Sequence, residues 1–187
     1  MRKMSEGKIT NDVGKKINFR SWSNVSSVMI GATLTILALI WQFHPTEGIV
    51  TSSYLLLISF SLFVNATTIN EKINYEIGKG TEERYINRWV AFAEYSFGLG
   101  FTFEIISFAL LGYKYLIDIS GDKLLALMLP IIFLAATWCI MIVYNILNAY
   151  DKSFKFLRSI KRNTWLIMEA IALILIILDY AGTISIL

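Results

Sequence analysis

Four carboxylates stand inside the long apolar runs of this chain: Glu94 and Glu104 in WVAFAEYSFGLGFTFEIISFALL (89–111), and Glu169 and Asp179 in the last run. A charge in hydrocarbon costs a few kcal/mol or more, so such groups face protein or water, or carry a proton. Glu94 and Glu104 are ten residues apart, which on a helix is about 15 Å along the axis and about 80° in azimuth. That is too far for an acid–base pair on one substrate atom. It suits two successive stations for a cation or a proton, and in a homo-oligomer each glutamate would become a ring, as in cation pores. The competing expectation is packing, with each acid bonded to Asn65, Trp138 or a Ser/Thr of a neighbouring helix. Asn65, an amide in the second apolar run, itself calls for an interhelical partner. Glu169 lies one turn from Trp165, within reach of headgroup water. Asp179 leaves two options: a helix that crosses with Asp179 buried against a partner, which is favoured, or one that ends near it in a distorted C-terminal piece.

Other chemistries lack their residues. His44 is the only histidine and Cys139 the only cysteine, so neither a metal-ligand set nor a disulfide can form within the chain. There is no Gly-rich phosphate loop and no H-E-x-x-H, and a serine nucleophile would have only His44, in a turn, as its base. The expectation is no enzyme, no cofactor and no metal. Cys139 reads as a small buried packing residue. The N-x-T at Asn65–Thr67 falls inside an apolar run and is not a glycosylation site.

These residues must be positioned by membrane helices. Of 187 residues, 56% are apolar and mean hydropathy is +0.58, with the apolar residues gathered into blocks long enough to cross about 30 Å of hydrocarbon. The expected fold is an all-α polytopic membrane protein: a basic arm (1–24), then one bundle (25–187) with spans near 25–43, 49–69, 89–111, 124–147 and 164–187. Counted over the gaps, Lys and Arg number six, none, four, two and five in chain order. With the N-terminus cytoplasmic, every inner segment is the richer one, as the positive-inside rule requires. The first apolar run lacks a cleavage site after it and is expected to be retained. An excess of Ile over Val and of Lys over Arg points to a prokaryotic inner membrane on composition alone.

The gaps have structure of their own. Ile73 and Ile77, one turn apart, carry the second helix about two turns beyond the membrane, and Gly78 and Gly80 stop it. Thr81-Glu82-Glu83 starts the third helix, with acids at the positive end of its dipole. The result is a cytoplasmic helical hairpin bearing Arg84 and Arg88. Residues 112–123 read as a nearly neutral loop. Residues 151–163, with Lys152, Lys155, Arg158, Lys161 and Arg162 among aromatic residues, read as a short basic amphipathic helix on anionic lipid. The pairs Ser96/Gly100 and Gly98/Thr102 have the small-x-x-x-small spacing of close helix contacts, and Gly31, Ala32, Thr33 and Thr35 give the first helix a small face. Pro130 is placed to kink the fourth.

The functional expectation is a non-enzymatic, self-associating membrane subunit. It contacts lipid and offers its cytoplasmic helical loops to a soluble protein partner, as a sensor, scaffold or effector of a prokaryotic stress or phage-defence system. Direct nucleic-acid binding is not expected. The alternative is a homo-oligomeric cation or proton channel using Glu94 and Glu104. A transporter is weaker, for want of an internal repeat or matched broken helices.

Overall fold

The computed structural model describes residues 23–42, 48–149 and 156–186. Among these the chain is all-helical, with no strand. The helices are α1 (Ser23–Gln42), α2 (Ile49–Lys79), α3 (Glu83–Ser120), α4 (Lys123–Ala149) and α5 (Phe156–Tyr180). Helices α1 to α4 are long and apolar enough to cross a membrane. At 31 and 38 residues, α2 and α3 rise about 46 and 57 Å, more than the hydrocarbon needs. Their surplus forms the hairpin around Gly80. Gly80 has φ +76°, a left-handed backbone that an L side chain occupies at a cost. Thr81 does not cap α3: its hydroxyl donates back to Glu76 at 2.6 Å, and the carbonyl of Glu82 takes the first amides, from Tyr85 and Ile86.

Three expectations are corrected. Residues 112–120 are not a loop, because α3 runs unbroken to Ser120. Gly112 reads as punctuation, yet it lies inside the helix, with the end of the Leu129 side chain packed against it. Tyr113, one residue on, is 1% exposed, and that burial outweighs the weak helix propensity of Gly. The break comes only at Gly121, φ +65°, where Asp122 caps α4 by accepting the amides of Leu124 and Leu125 at 2.9 and 3.2 Å. Residues 164–187 are not one helix either. Helix α5 stops at Tyr180 and the backbone turns through Ala181–Ser185, since Asp179 there engages a cation and a backbone amide instead of continuing into lipid. Nor is the basic segment a separate surface helix: from Phe156 its backbone is already the first turns of α5.

Contacts gather the chain into two compact units, one comprising Met1–Ile36 with Leu57–Phe101, the other Leu37–Leu56 with Thr102–Leu187. In the first, α2 and α3 close over Ile69, Ile73 and Ala93, flanked by Ile77, Ile86 and Val90. Phe63 packs tilted on Phe97 at 5.4 Å, which stacks on Phe101. Helix α1 joins this unit through a strip of small hydroxyls, Ser23, Ser26 and Thr33, all buried. In the second unit Ile105, Ala109, Tyr113, Leu127, Leu134 and Ile176 form the core, and α4 lies against α5. Pro130, inside α4, is fully buried. It lacks an N–H, so the Ala126 carbonyl loses its helical donor. Large apolar side chains point outward on every helix, among them Val28, Trp41, Ile132, Ile140 and Ile167, the surface that hydrocarbon accepts and water does not.

Candidate functional site

Several polar side chains inside the helices find partners in small sets. In the second unit, Lys114 of α3 meets Asp179 of α5: Nζ lies 3.0 Å from Oδ2 and 3.1 Å from Oδ1. Both side chains are only 8% exposed. Taking two ions out of water is costly, and their attraction offsets it only when the remaining hydrogen-bonding positions are filled as well. Asp179 fills one by accepting the backbone N–H of Ile186 at 2.8 Å. That bond folds residues 181–186 back over the end of α5. The buried Tyr113 hydroxyl faces the same carboxylate. Gly48 completes the set: its φ is +86°, and a Cβ on it would fall 2.6 Å from Lys114 Cγ, so the lysine stem lies where only glycine leaves room.

Glu169 of α5 is 4% exposed and accepts the indole N–H of Trp138 on α4 at 2.8 Å. It does not reach for headgroup water. The aromatic donor on the neighbouring helix satisfies it inside the unit. In the first unit the amide of Asn65 donates to Ser96 at 3.1 Å, and Ser59 donates to the carbonyl of Gly100 at 2.7 Å. Ser96 and Gly100, one turn apart, thus both face α2. A Cβ at Gly100 would sit 3.1 Å from Phe63, close enough that the ring would have to give by a few tenths of an ångström. Other hydroxyls of α2 return to their own helix, Ser61, Thr67 and Thr68 each donating to the carbonyl four residues back.

Glu94 and Glu104 part company. Glu104 is buried, 3% exposed, in the second unit. Glu94 belongs to the first and is exposed, among exposed Phe92, Tyr95 and Phe101. Of the remaining small residues, Thr102 is buried and Gly98 half-buried, whereas Gly31, Ala32 and Thr35 of α1 are exposed, and Cys139 of α4, expected to be buried, is exposed as well. Arg84 and Arg88 are exposed on the first turns of α3. Lys152 and Lys155 lie outside the described residues, as do His44, the basic arm 1–22 and the side chains of Arg158, Lys161 and Arg162. No group of three His, Cys, Asp or Glu among the described residues is placed to hold a metal.

Two sets are not legible in the sequence. Lys114 stands where the residue pattern resembles a loop. Its signal was the apolar pattern continuing past Gly112, with Leu110, Tyr113 and Lys114 at helical spacing. The other set braces the hairpin. Ser23 donates to Glu71 at 2.6 Å, and Lys72 of α2 lies over the Trp89 ring of α3 at 4.0 Å, a cation–π contact. The ammonium sits where α3 becomes apolar.

No protein family, curated protein or solved structure matches this chain. Function has to be read from the residues themselves.

Proposed function

We propose that this chain is a non-enzymatic subunit of a prokaryotic cytoplasmic membrane that presents the α2–α3 hairpin to a soluble partner. The observation that carries this reading is the hairpin's construction. Residues beyond the apolar runs of α2 and α3 form two continuous helices, braced by Ser23–Glu71, Lys72–Trp89 and Thr81–Glu76. On that frame Tyr75, Tyr85, Arg84 and Arg88 remain exposed, and aromatic residues and arginine are the types that dominate protein interfaces. A mere connection between spans needs only a few residues and no brace. The distribution of Lys and Arg puts the hairpin, the basic arm and residues 151–163 on the cytoplasmic side, with α5 as a fifth span. Self-association would use exposed Glu94 and the small face of α1, since a carboxylate at that depth is better placed against protein than against lipid. A role as sensor, scaffold or effector in stress or phage defence belongs to this same reading.

The test is affinity recovery from native membranes. Substituting Arg84 and Arg88 by Glu, or separately neutralising Lys152, Lys155, Arg158, Lys161 and Arg162, should remove a co-purifying cytoplasmic protein. Unchanged recovery of every partner in both variants would refute the hairpin role.

A cation or proton pore is the second reading, favoured by the exposure of Glu94. Glu104 supports it less, because a side chain buried within its own chain does not line an axis between copies. Liposome flux equal in wild type and Glu94→Gln would end it.

A further inference from the structure

The second unit contains a groove of about 340 Å³ that no polar group enters. It is lined by Leu55 of α2, Leu110 of α3, Met168 and Ala172 of α5, and Ile184 and Ile186 of the returning segment, with Thr51 and further aliphatic side chains between them. We propose that this groove holds one acyl chain of a membrane phospholipid, and that residues 181–186 form the wall that closes one end of it.

Lining, length and surroundings select the occupant. The groove follows α5 from Met168 to Ile176, a rise of about 12 Å. A single side chain does not fill it. The volume is also more than twice the ~150 Å³ of an apolar cavity that takes up benzene. A flexible file of methylenes suits an apolar channel of that length. The lining chemistry agrees, since water would find no hydrogen-bond partner on these walls. The surrounding medium of helices that cross a membrane supplies acyl chains at high concentration.

The closing wall is held from the polar side. Ile186 lines the groove with its side chain while its N–H is bound by Asp179, which is paired with Lys114 one turn from Leu110. The ionic clasp thus fixes the position of two isoleucines that touch the tail. This proposal does not depend on what binds the hairpin.

The test uses the full chain in nanodiscs containing a phosphatidylethanolamine with a diazirine near the end of one acyl chain. After irradiation, adducts are mapped by mass spectrometry. Label on 106–110 and 168–176 should exceed that on the lipid-facing α4 positions Ile132 and Ile140 at least threefold. Ala172→Phe, which fills the groove, should bring the excess down to the α4 level while leaving α4 unchanged. Asp179→Asn, which weakens the clasp, should speed exchange of the labelled lipid from the groove severalfold. Equal labelling of groove and α4 in the wild type would overturn the proposal without any variant. Absence of label from the groove with α4 labelled would assign it to a second copy, and overturn it too. Should Ala172→Phe fail to fold, Met168→Trp blocks the same channel at its other end.

Discussion

Lys114 and Asp179 show how a residue can be decisive without being conspicuous. Buried ion pairs are expensive to form and more expensive to halve. Lys114→Met should therefore lower stability by about 3–5 kcal/mol, because it leaves the Asp179 carboxylate buried without its cation. The double variant Lys114→Met/Asp179→Leu should recover most of that loss, since two apolar side chains need no compensation. Thermal unfolding of the purified protein in a mild detergent measures both, and additive losses would show that the pair is not coupled. Trp138→Phe keeps the ring but removes the N–H that Glu169 accepts. The expected cost is about 1–3 kcal/mol, read in the same melt, with Trp138→Phe/Glu169→Leu closer to wild type. Of these four residues the sequence points to Trp138, Glu169 and Asp179, because indoles and acids stand out in apolar runs. Lys114 escapes it because a cation next to a glycine looks like a loop.

At the scale of the elements, helical periodicity and the positions of Gly80 and Glu82 place α2 and the start of α3 to within a residue or two. The end of α3 is illegible for a physical reason. Gly112 breaks helices in isolation, and neither the burial of Tyr113 beside it nor the Leu129 side chain packed against it shows in its spacing. Gly100 is the matching case on the other face of the same helix. Gly100→Ala needs Phe63 to shift by a few tenths of an ångström and should be nearly neutral. Gly100→Leu should force α2 and α3 apart, costing about 1–3 kcal/mol and loosening the Ser59 bond to its carbonyl. Amide hydrogen exchange at residues 57–70 and 93–101 would rise in the leucine variant alone. Equal protection in wild type and Gly100→Leu would mean that this contact does not hold the helices together.

For the whole molecule, hydropathy and charge distribution by themselves lead to an all-helical membrane protein. They do not lead to the course of the last helix. Counting apolar residues carries α5 to the end of the chain, because Asp179 looks like one acid to be tolerated; a tolerated acid and a clasped one have the same letter. Orientation is open to a direct check. With Cys139→Ala as background, a cysteine at Gly80 should react with membrane-impermeant maleimide only after the membrane is permeabilised, and one at Gly121 should react in intact cells. The reverse pattern would invert the molecule and remove the hairpin from the cytoplasm.

The pairing of Lys114 with Asp179 spans 65 residues, and this has a consequence for biosynthesis. Helix α3 leaves the ribosome with Lys114 uncompensated, and its partner is translated about 3–13 s later at 5–20 residues per second. During that interval the half-made protein carries a lone ammonium at the edge of the hydrocarbon. The charge disappears from view only when α5 is in place and residues 181–186 have folded back. A chain whose last helix is missing or misinserted therefore advertises its incompleteness through one exposed lysine, the kind of flag that membrane proteases and insertion chaperones can read.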